Sequence, residues 1–315
     1  MHLSLIREAN ARYSSSHEPV VCVFAGATSG IGASTIERLA RMFERPTFYV
    51  VGRSKSRFAP QRTRLNAINP SCKIVFLEAE FSLLSHVDDV CNQISASEQK
   101  VDLLYMSPGL IPLNGAEYTK EGLETCFVIS YYARMRLIEN LLPLLRRAPE
   151  PRVLSVLNGG KEASINEDDL GLEEAWSLLS VVAHATTMTT LAFEFLATQN
   201  KEMTFLHVYP GWVRTDNFSR LTAPESSGFA WASVLAFVRG LASMLALLFG
   251  TSAEDCAERQ AYYLTSCRYK PGVWRIDHLS NGAPESDLLR KYREESSPER
   301  VWDHTQRVFN AIFHR

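Results

Sequence analysis

The 315-residue sequence lacks several features that would assign it to particular classes of protein. Its net charge is −2 and it contains no long basic run, which argues against nucleic acid as a partner. Residues 1–8 contain no sustained apolar run of the kind that a signal peptide needs. The six cysteines form no C-x-x-C pair, so buried thiols in a reducing compartment are expected rather than disulfides or a zinc site. We therefore expect a cytoplasmic protein without a metal site.

No internal repeat or low-complexity linker divides the chain. Its 46% hydrophobic and 22% charged residues are typical of a globular protein. Short apolar segments that alternate with helical patterns predict strands at 20–24, 47–51, 73–77, 101–106, 152–157 and 203–208. This alternation predicts an α/β protein with a doubly wound parallel sheet, the Rossmann fold. We expect one domain over 18–280, an N-terminal extension over 1–17 and a charged tail over 281–315 that forms a peripheral helix.

A glycine-rich turn between the first predicted strand and a helical pattern is the most informative stretch. Its glycines follow G-x-x-x-G-x-G spacing. Glycine lets the backbone turn tightly, and the free amides and dipole of a helix N-terminus attract an anion. In a strand–turn–helix context this spacing predicts a site for the phosphates of a dinucleotide. The contacts expected here are Gly26, Thr28, Ser29, Gly30, Ile31 and Gly32.

The residues after the second predicted strand bear on the type of dinucleotide. The segment Gly52-Arg53-Ser54-Lys55 contains no carboxylate that would bind the 2′-hydroxyl of NAD. Arg53 instead offers paired N–H donors to a 2′-phosphate, and Ser54 offers a hydroxyl. The pattern favours NADP(H), and a solvated basic loop is the alternative.

The glycine turn resembles the T-G-x-x-x-G-I-G motif of the short-chain dehydrogenase/reductase family, with Ala25 in place of the usual Thr. Later segments follow that family's order, so the resemblance covers roughly residues 18–280. They are similar to the family's D-L-S, N-A-G and P-G-x-V-x-T motifs, of which the first lies near the adenine and the last near the nicotinamide. The resemblance implies further cofactor contacts at Glu80, Ser107, Gly109, Pro210, Gly211, Val213 and Thr215.

The chain departs from the family at its catalytic residues. The family uses Asn, Ser, Tyr and Lys, with the Tyr exchanging a proton with the substrate carbonyl and the Ser orienting its oxygen. The Asn position is Ser130 here, and the Ser position is Asn158 or Gly159. The helix that should contain Tyr-x-x-x-Lys has neither residue, and the matching pair falls near Val181 and Ala185.

Several side chains are candidates for the missing roles. His184 lies on the same predicted helix, and histidine is a common acid–base residue, although a buried structural role is also common for it. Asn158 can donate to a substrate oxygen. Lys161, Tyr209, Tyr131 and Tyr132 are also possible, and the last two are expected to pack in the interior. Asn158, His184 and Ser130 are the candidate catalytic residues.

The segment 228–250 is strongly apolar and contains one charge, Arg239. Its position is similar to that of the lid with which the short-chain dehydrogenase/reductase family shapes its substrate pocket, so the resemblance implies a lid over about 217–250, or a packed helix, and an apolar lid would favour an apolar substrate. A peripheral membrane contact is an alternative, and a membrane span is disfavoured by the central arginine.

The runs 184–190 and 205–213 resemble a divergent fungal subgroup of the family found in secondary-metabolite pathways. The resemblance implies an NADP(H)-dependent oxidoreductase acting on an apolar carbonyl or alcohol. A non-redox enzyme, such as an isomerase, cyclase or dehydratase, and a catalytically silent NADP-binding protein are the alternatives. Whether the chain forms a homo-oligomer stays open.

Overall fold

The computed structural model describes residues 1–13, 19–110, 115–215, 233–234, 236–240, 244 and 250–313. In this part of the chain one parallel sheet has seven strands in the order β3-β2-β1-β4-β5-β6-β7. The strands are β1 (Val21–Ala25), β2 (Thr47–Gly52), β3 (Lys73–Glu78), β4 (Leu103–Met106), β5 (Arg152–Val156), β6 (Thr204–Val208) and β7 (Gly272–Ile276). The predicted single-domain Rossmann fold is confirmed, and the six predicted strands begin and end within two residues of the observed ones.

Helices cover both faces of the sheet. They are α1 (Leu3–Arg12), α2 (Gly30–Met42), α3 (Lys55–Ile68), α4 (Leu84–Ser97), α5 (Thr125–Phe127), α6 (Ala133–Leu145), α7 (Leu178–Gln199), α8 (Ala253–Thr265), α9 (Asp287–Glu294) and α10 (Ser297–Phe313). A π-helical turn, Val128–Tyr132, joins α5 to α6. Helices α4, α6, α7 and α10 enclose one hydrophobic core with the sheet, and α2, α3 and α8 enclose the other.

The central strands are easy to predict because both of their faces are covered. Every residue of β1, β4, β5 and β6 is buried, so these strands are mostly continuous apolar runs. The sequence pattern does not reveal β7, which lies at the sheet edge with all but its last residue partly exposed. A short edge strand that is mostly half-exposed lacks the continuous apolar run by which a buried strand is recognised in sequence.

The C-terminal tail forms two helices instead of the single peripheral helix that was predicted. Val301 and Phe309 of α10 are buried in the core that includes α6 and α7. The hydroxyl of Tyr131 lies 2.7 Å from that of Thr305, so α10 is also tied to the π-helical turn. The overall charge of the tail concealed the apolar face that makes it part of the core.

The predicted lid and the possible membrane contact lie largely outside the described residues. Of the segment 228–250, the structure describes only 233–234, 236–240, 244 and 250. Within the described part of the chain, α7 alone is long and apolar enough to cross a membrane, and 61% of the relevant window is buried inside the protein. This burial is what the core helix of a globular domain requires.

Candidate active site

The parallel register brings the chemistry-bearing loops to one edge of the sheet. Ala25 pairs with Met106, Met106 with Ser155, and Ser155 with His207. The residues that follow β1, β4, β5 and β6 therefore lie side by side at the carboxyl ends of the strands. This is the edge at which open α/β sheets bind their ligands.

The glycine turn after β1 has a shape that larger residues would disrupt. Gly26 has φ +82°, and a Cβ atom there would lie 2.4 Å from the backbone nitrogen of Pro108. A Cβ atom on Gly32 would lie 2.5 Å from the carbonyl oxygen of Gly26. The first helical hydrogen bond of α2 runs from Ala33 N to Ser29 O at 3.3 Å, so the amides of residues 30–32 precede that ladder. These amides fit the diphosphate of a dinucleotide.

Two side chains from distant segments support this turn. Ser107, after β4, donates its hydroxyl to the carbonyl oxygen of Gly26 at 3.1 Å. Gln61 of α3 is buried and donates to the carbonyl oxygen of Ala27 at 2.9 Å. Ser107 was placed near the cofactor by resemblance, and the hydrogen bond gives it a role in holding the turn. Gln61 was missed because no motif marks it.

The segment after β6 reaches the glycine turn. The Cγ2 atom of Thr215 would lie 3.2 Å from a Cβ atom on Gly30. The amide of Arg214 donates to the carbonyl oxygen of Thr251 at 2.9 Å, and the amide of Thr251 donates to Trp212 O at 2.8 Å. This short bridge joins the chain before and after the segment predicted as a lid.

Arg53, Ser54 and the carboxylate of Glu78 lie at the corner of the sheet where β2 ends, and the sequence pattern does not reveal the presence of Glu78 there. Arg53 is exposed and has no hydrogen-bonding or ionic partner among the described residues. Ser54 caps α3, accepting from the amide of Arg57 at 3.3 Å. Glu78, at the end of β3, accepts from the amide of Lys55 through Oε2 at 3.1 Å. A carboxylate is therefore present at this corner although none follows β2 in sequence.

The remaining predicted contact with the adenosine half follows β3. Glu80 accepts from the hydroxyl of Ser82 at 3.2 Å, and its own amide donates to Nδ1 of His86 at 3.2 Å. Gly109, after β4, is exposed, and a Cβ atom there would have no atom of the described residues within 4 Å.

Asn158 begins the turn after β5 and lies partly buried at the predicted site. Its Nδ2 donates to Oγ1 of Thr186 on α7 at 3.3 Å. Its carbonyl oxygen accepts from the amide of Lys161 at 2.9 Å, which closes the turn. A Cβ atom on Gly159 would lie 2.0 Å from the carbonyl oxygen of His207. Gly159 is thus packed against β6, and Asn158 is the side chain available at the Ser position.

A buried polar network supports the Asn158 turn from below. The amide of Asn158 donates to Nε2 of His207 at 3.3 Å, and Nδ1 of His207 lies 2.8 Å from Oγ1 of Thr190. Thr190 donates to Oε1 of Glu162 at 2.7 Å. Nη1 of Arg275 lies 3.1 Å from Oε2 of Glu162, whose side chain is 2% exposed. The network links β5, β6, β7 and α7 directly behind the candidate site.

The charge states in this network follow from burial. Burial lowers the pKa of His207 to about 4, so the ring is neutral at physiological pH. Burial acts to raise the pKa of Glu162, but the positive charge that His207 gains at acidic pH, together with the hydrogen bonds to the carboxylate, outweighs it and the net pKa is lowered. Glu162 is therefore an anion, paired with Arg275.

The helix that should contain Tyr-x-x-x-Lys presents different chemistry. Val181 and Ala185 are buried in the hydrophobic core. His184 is 3% exposed, with Nδ1 2.9 Å from Ser180 O and Nε2 accepting from the amide of Asn166 at 3.2 Å. Both ring nitrogens of His184 thus contact backbone groups, and these contacts give the side chain a structural role.

The Asn position of the family coincides with the π-helical turn. Ser130 is 5% exposed and its Oγ lies 3.8 Å from Sγ of Cys126.

One helical turn after Ser130, Arg134 is fully buried and donates to Ser155 Oγ at 2.5 Å, to Val156 O at 2.9 Å and to Pro108 O. Burial lowers the pKa of Arg134 to about 10. Arg134 ties the ends of β4 and β5 together and was missed because helical arginines are usually exposed.

Lys161 and Tyr209 also lie at the carboxyl edge of the sheet. The Lys161 ammonium is 5.6 Å from the centre of the Tyr209 ring, and that ring packs edge-on against His278 at 6.0 Å. Lys161 is exposed and Tyr209 partly buried. Tyr132, by contrast, is buried, and its hydroxyl lies 2.8 Å from Nε2 of His304 on α10. The expectation that Tyr131 and Tyr132 pack in the interior is confirmed.

Comparisons with known proteins agree with this geometry. Residues 20–165 match the family described as short chain dehydrogenase. The chain is 35% identical to oxidoreductase AN1596 of Emericella nidulans over 94% of this chain and 94% of that protein. It is 37% identical to oxidoreductase lepF of Aspergillus flavus over 93% of this chain and 91% of that protein. The chain belongs to the short-chain dehydrogenase/reductase family.

Solved structures of the short-chain dehydrogenase/reductase fold are more distant in sequence. An alcohol dehydrogenase from the archaeon Thermococcus sibiricus, complexed with 5-hydroxy-NADP, has a TM-score of 0.57 and 16% identity over 85% of this chain and all of that one. The likeness confirms the fold. Within the short-chain dehydrogenase/reductase family this chain keeps the glycine turn and P-G-x-V-x-T, while α7 contains neither Tyr nor Lys.

Proposed function

We propose that the protein is an NADP(H)-dependent oxidoreductase that acts on an apolar carbonyl or alcohol in fungal secondary metabolism. The observation that carries the proposal is the convergence of the glycine turn, Thr215 and Asn158 at the carboxyl edge of the sheet. The two relatives named above are both called oxidoreductases and match nearly the whole chain, which supports a redox role.

The residues at this edge fit a nicotinamide dinucleotide. The amides of residues 30–32 suit its diphosphate and Thr215 suits its nicotinamide end. Arg53, which has no partner within the described part of the chain, suits a 2′-phosphate. Such a cofactor supplies or accepts hydride when bound. This chain's residues bind it, orient the substrate oxygen and exchange the proton.

Asn158 is the residue best placed to orient a substrate oxygen. Its side-chain NH₂ group has two hydrogens, of which one is directed to Thr186 and the other has no acceptor among the residues that the structure describes, so it can donate to a ligand. The network behind the turn fixes the backbone of Asn158, so the donor is preorganised. Lys161 and Tyr209 are the accessible groups for proton exchange at the same edge.

A second candidate function is a silent NADP-binding protein or a non-redox enzyme. It is favoured by α7, where the Tyr and Lys positions are buried apolar residues. Contacts to the nicotinamide ring distinguish an oxidoreductase from a silent binder, because a protein that only senses the cofactor needs to bind its phosphate end alone.

Calorimetric titration with NADP⁺ and with 2′-phospho-ADP-ribose, which lacks the nicotinamide ring, separates an oxidoreductase from a silent binder. An oxidoreductase should bind NADP⁺ more tightly, because residues 213–215 would hold the nicotinamide ring. Oxidation of NADPH in the presence of a series of apolar ketones should then identify a substrate. Equal affinity for the two ligands, with no turnover of any ketone, would support the silent binder.

We further propose that the protein works in the cytoplasm and that any membrane contact through 228–250 is peripheral. The central Arg239 motivates this, because a charge at the bilayer centre is costly. Carbonate washing should release the protein from a membrane fraction. Retention in the washed pellet would contradict the proposal.

A further inference from the structure

Glu78 and Arg53 bring opposite charges to the same corner of the sheet. Gly52 is paired with Glu78 in the β2–β3 register, so the end of β3 lies beside the segment 53–55 that starts α3. The carboxylate of Glu78 accepts from the amide of Lys55 at 3.1 Å. No hydrogen bond or ion pair joins Glu78 to Arg53 in the described part of the chain.

A 2′-phosphate at this corner would compete with Glu78 for the backbone amide of Lys55. The phosphate is an anion that binds to Arg53 and to amides such as that of Lys55. Glu78 satisfies this amide and adds a negative charge close to where the phosphate would lie. The 2′-hydroxyl of NADH, in contrast, is neutral and can donate to a carboxylate.

We propose that Glu78 is a specificity-determining residue that competes with the 2′-phosphate of NADPH and accepts from the 2′-hydroxyl of NADH. The inference rests on the proposed function, since it requires that the glycine turn binds a nicotinamide dinucleotide. Arg53 favours NADPH, Glu78 opposes it, and the preference for NADPH is smaller than Arg53 alone would produce. Repulsion between a carboxylate and a phosphate a few ångströms apart corresponds to about a tenfold loss of affinity.

A purely structural role for Glu78 makes a different prediction. The contact with Lys55 requires an oxygen acceptor, and the amide oxygen of glutamine provides one. Glu78→Gln therefore keeps the hydrogen bond and the shape of the side chain while it removes the charge. A capping role survives this substitution, whereas the competition with phosphate does not.

The test is calorimetric titration of the full-length wild type and of Glu78→Gln. Four ligands are used: NADPH, NADH, adenosine 2′,5′-bisphosphate and adenosine 5′-monophosphate. The last two differ only in the 2′-phosphate, so they report on this corner without the nicotinamide. Glu202→Gln is the matched control, since Glu202 is an exposed carboxylate just before β6, at the amino edge of the sheet.

Glu78→Gln should tighten binding of NADPH and of the bisphosphate about tenfold, and should leave NADH and the monophosphate within about twofold or weaken them. Glu202→Gln should leave all four affinities unchanged. Equal affinities of wild type and Glu78→Gln for the phosphorylated ligands would overturn the inference while leaving the proposed function intact. A wild type that binds none of the four ligands would overturn both.

Discussion

The backbone amide of Asn158 donates to Nε2 of the buried His207 at 3.3 Å, and this contact assigns the tautomer of the ring. Because Nε2 accepts, the proton of the neutral ring is on Nδ1, which donates to Thr190. Thr190 in turn donates to Glu162. Every donor in this chain of contacts has one acceptor, so the turn that presents Asn158 has one preferred arrangement.

The free energy of unfolding should fall as the pH is lowered from about 6.5 to about 4. The pKa of His207 drops from 6.5 to about 4 on folding, so the unfolded chain binds a proton in this window that the folded protein does not. The full shift corresponds to about 3 kcal/mol. His304 has the same shift and adds to the effect. Urea unfolding at a series of pH values measures this slope.

His207→Gln should flatten that pH dependence, because it removes one of the two histidines. The amide oxygen of glutamine can replace Nε2 as the acceptor for Asn158, whereas His207→Asn places its amide nearer Nδ1. The glutamine variant should therefore be the more stable of the two at pH 7. A pH slope as steep as that of the wild type would show that His207 is not the titrating group.

Asn158→Ala should lower turnover of the true substrate by about 100-fold, the loss expected for one oxyanion-type donor. Binding of NADPH should change by less than about twofold, because the substitution leaves the glycine turn intact. Steady-state kinetics and a cofactor titration on the same preparation measure both quantities. An unchanged turnover would limit Asn158 to a structural role.

His184→Gln should lower stability while it leaves turnover within about twofold of the wild type. Both ring nitrogens contact backbone groups, at Ser180 and Asn166, and the ring is buried. Loss of one such buried hydrogen bond costs about 1–3 kcal/mol. Thermal unfolding and kinetics with saturating NADPH provide the comparison. A large fall in turnover of a folded variant would show that His184 is a catalytic residue.

Arg53→Ala should bring the affinities for NADPH and NADH together, chiefly by weakening NADPH. Arg53 has no partner among the described residues, so its guanidinium can meet a 2′-phosphate without breaking another contact. A charge-assisted contact of ~1.5–3 kcal/mol corresponds to roughly 10- to 100-fold in affinity. Calorimetry with both cofactors at fixed ionic strength measures the ratio. If the ratio does not change, Arg53 is a solvated loop residue.

The fold was predictable because its signals are local. Apolar strands and the glycine spacing each occupy one short stretch, and buried strands repeat the same pattern. Glu78 and Gln61 escaped prediction because their contacts join segments more than 20 residues apart in sequence. Arg134 escaped because only the folded structure shows which helix face is enclosed. The location of the candidate site was therefore predictable from the sequence, but the residues that support it from other segments of the chain were not.

The central claim is that this edge holds a nicotinamide dinucleotide in a position for hydride transfer. The most direct test is a crystal structure of the protein grown with NADP⁺. The account predicts the diphosphate on the amides of residues 30–32, the nicotinamide carboxamide against Val213 and Thr215, and open space for a substrate between the ring and Asn158. A bound diphosphate whose nicotinamide ring points away from Asn158 and Thr215 would contradict it and would identify a silent binder.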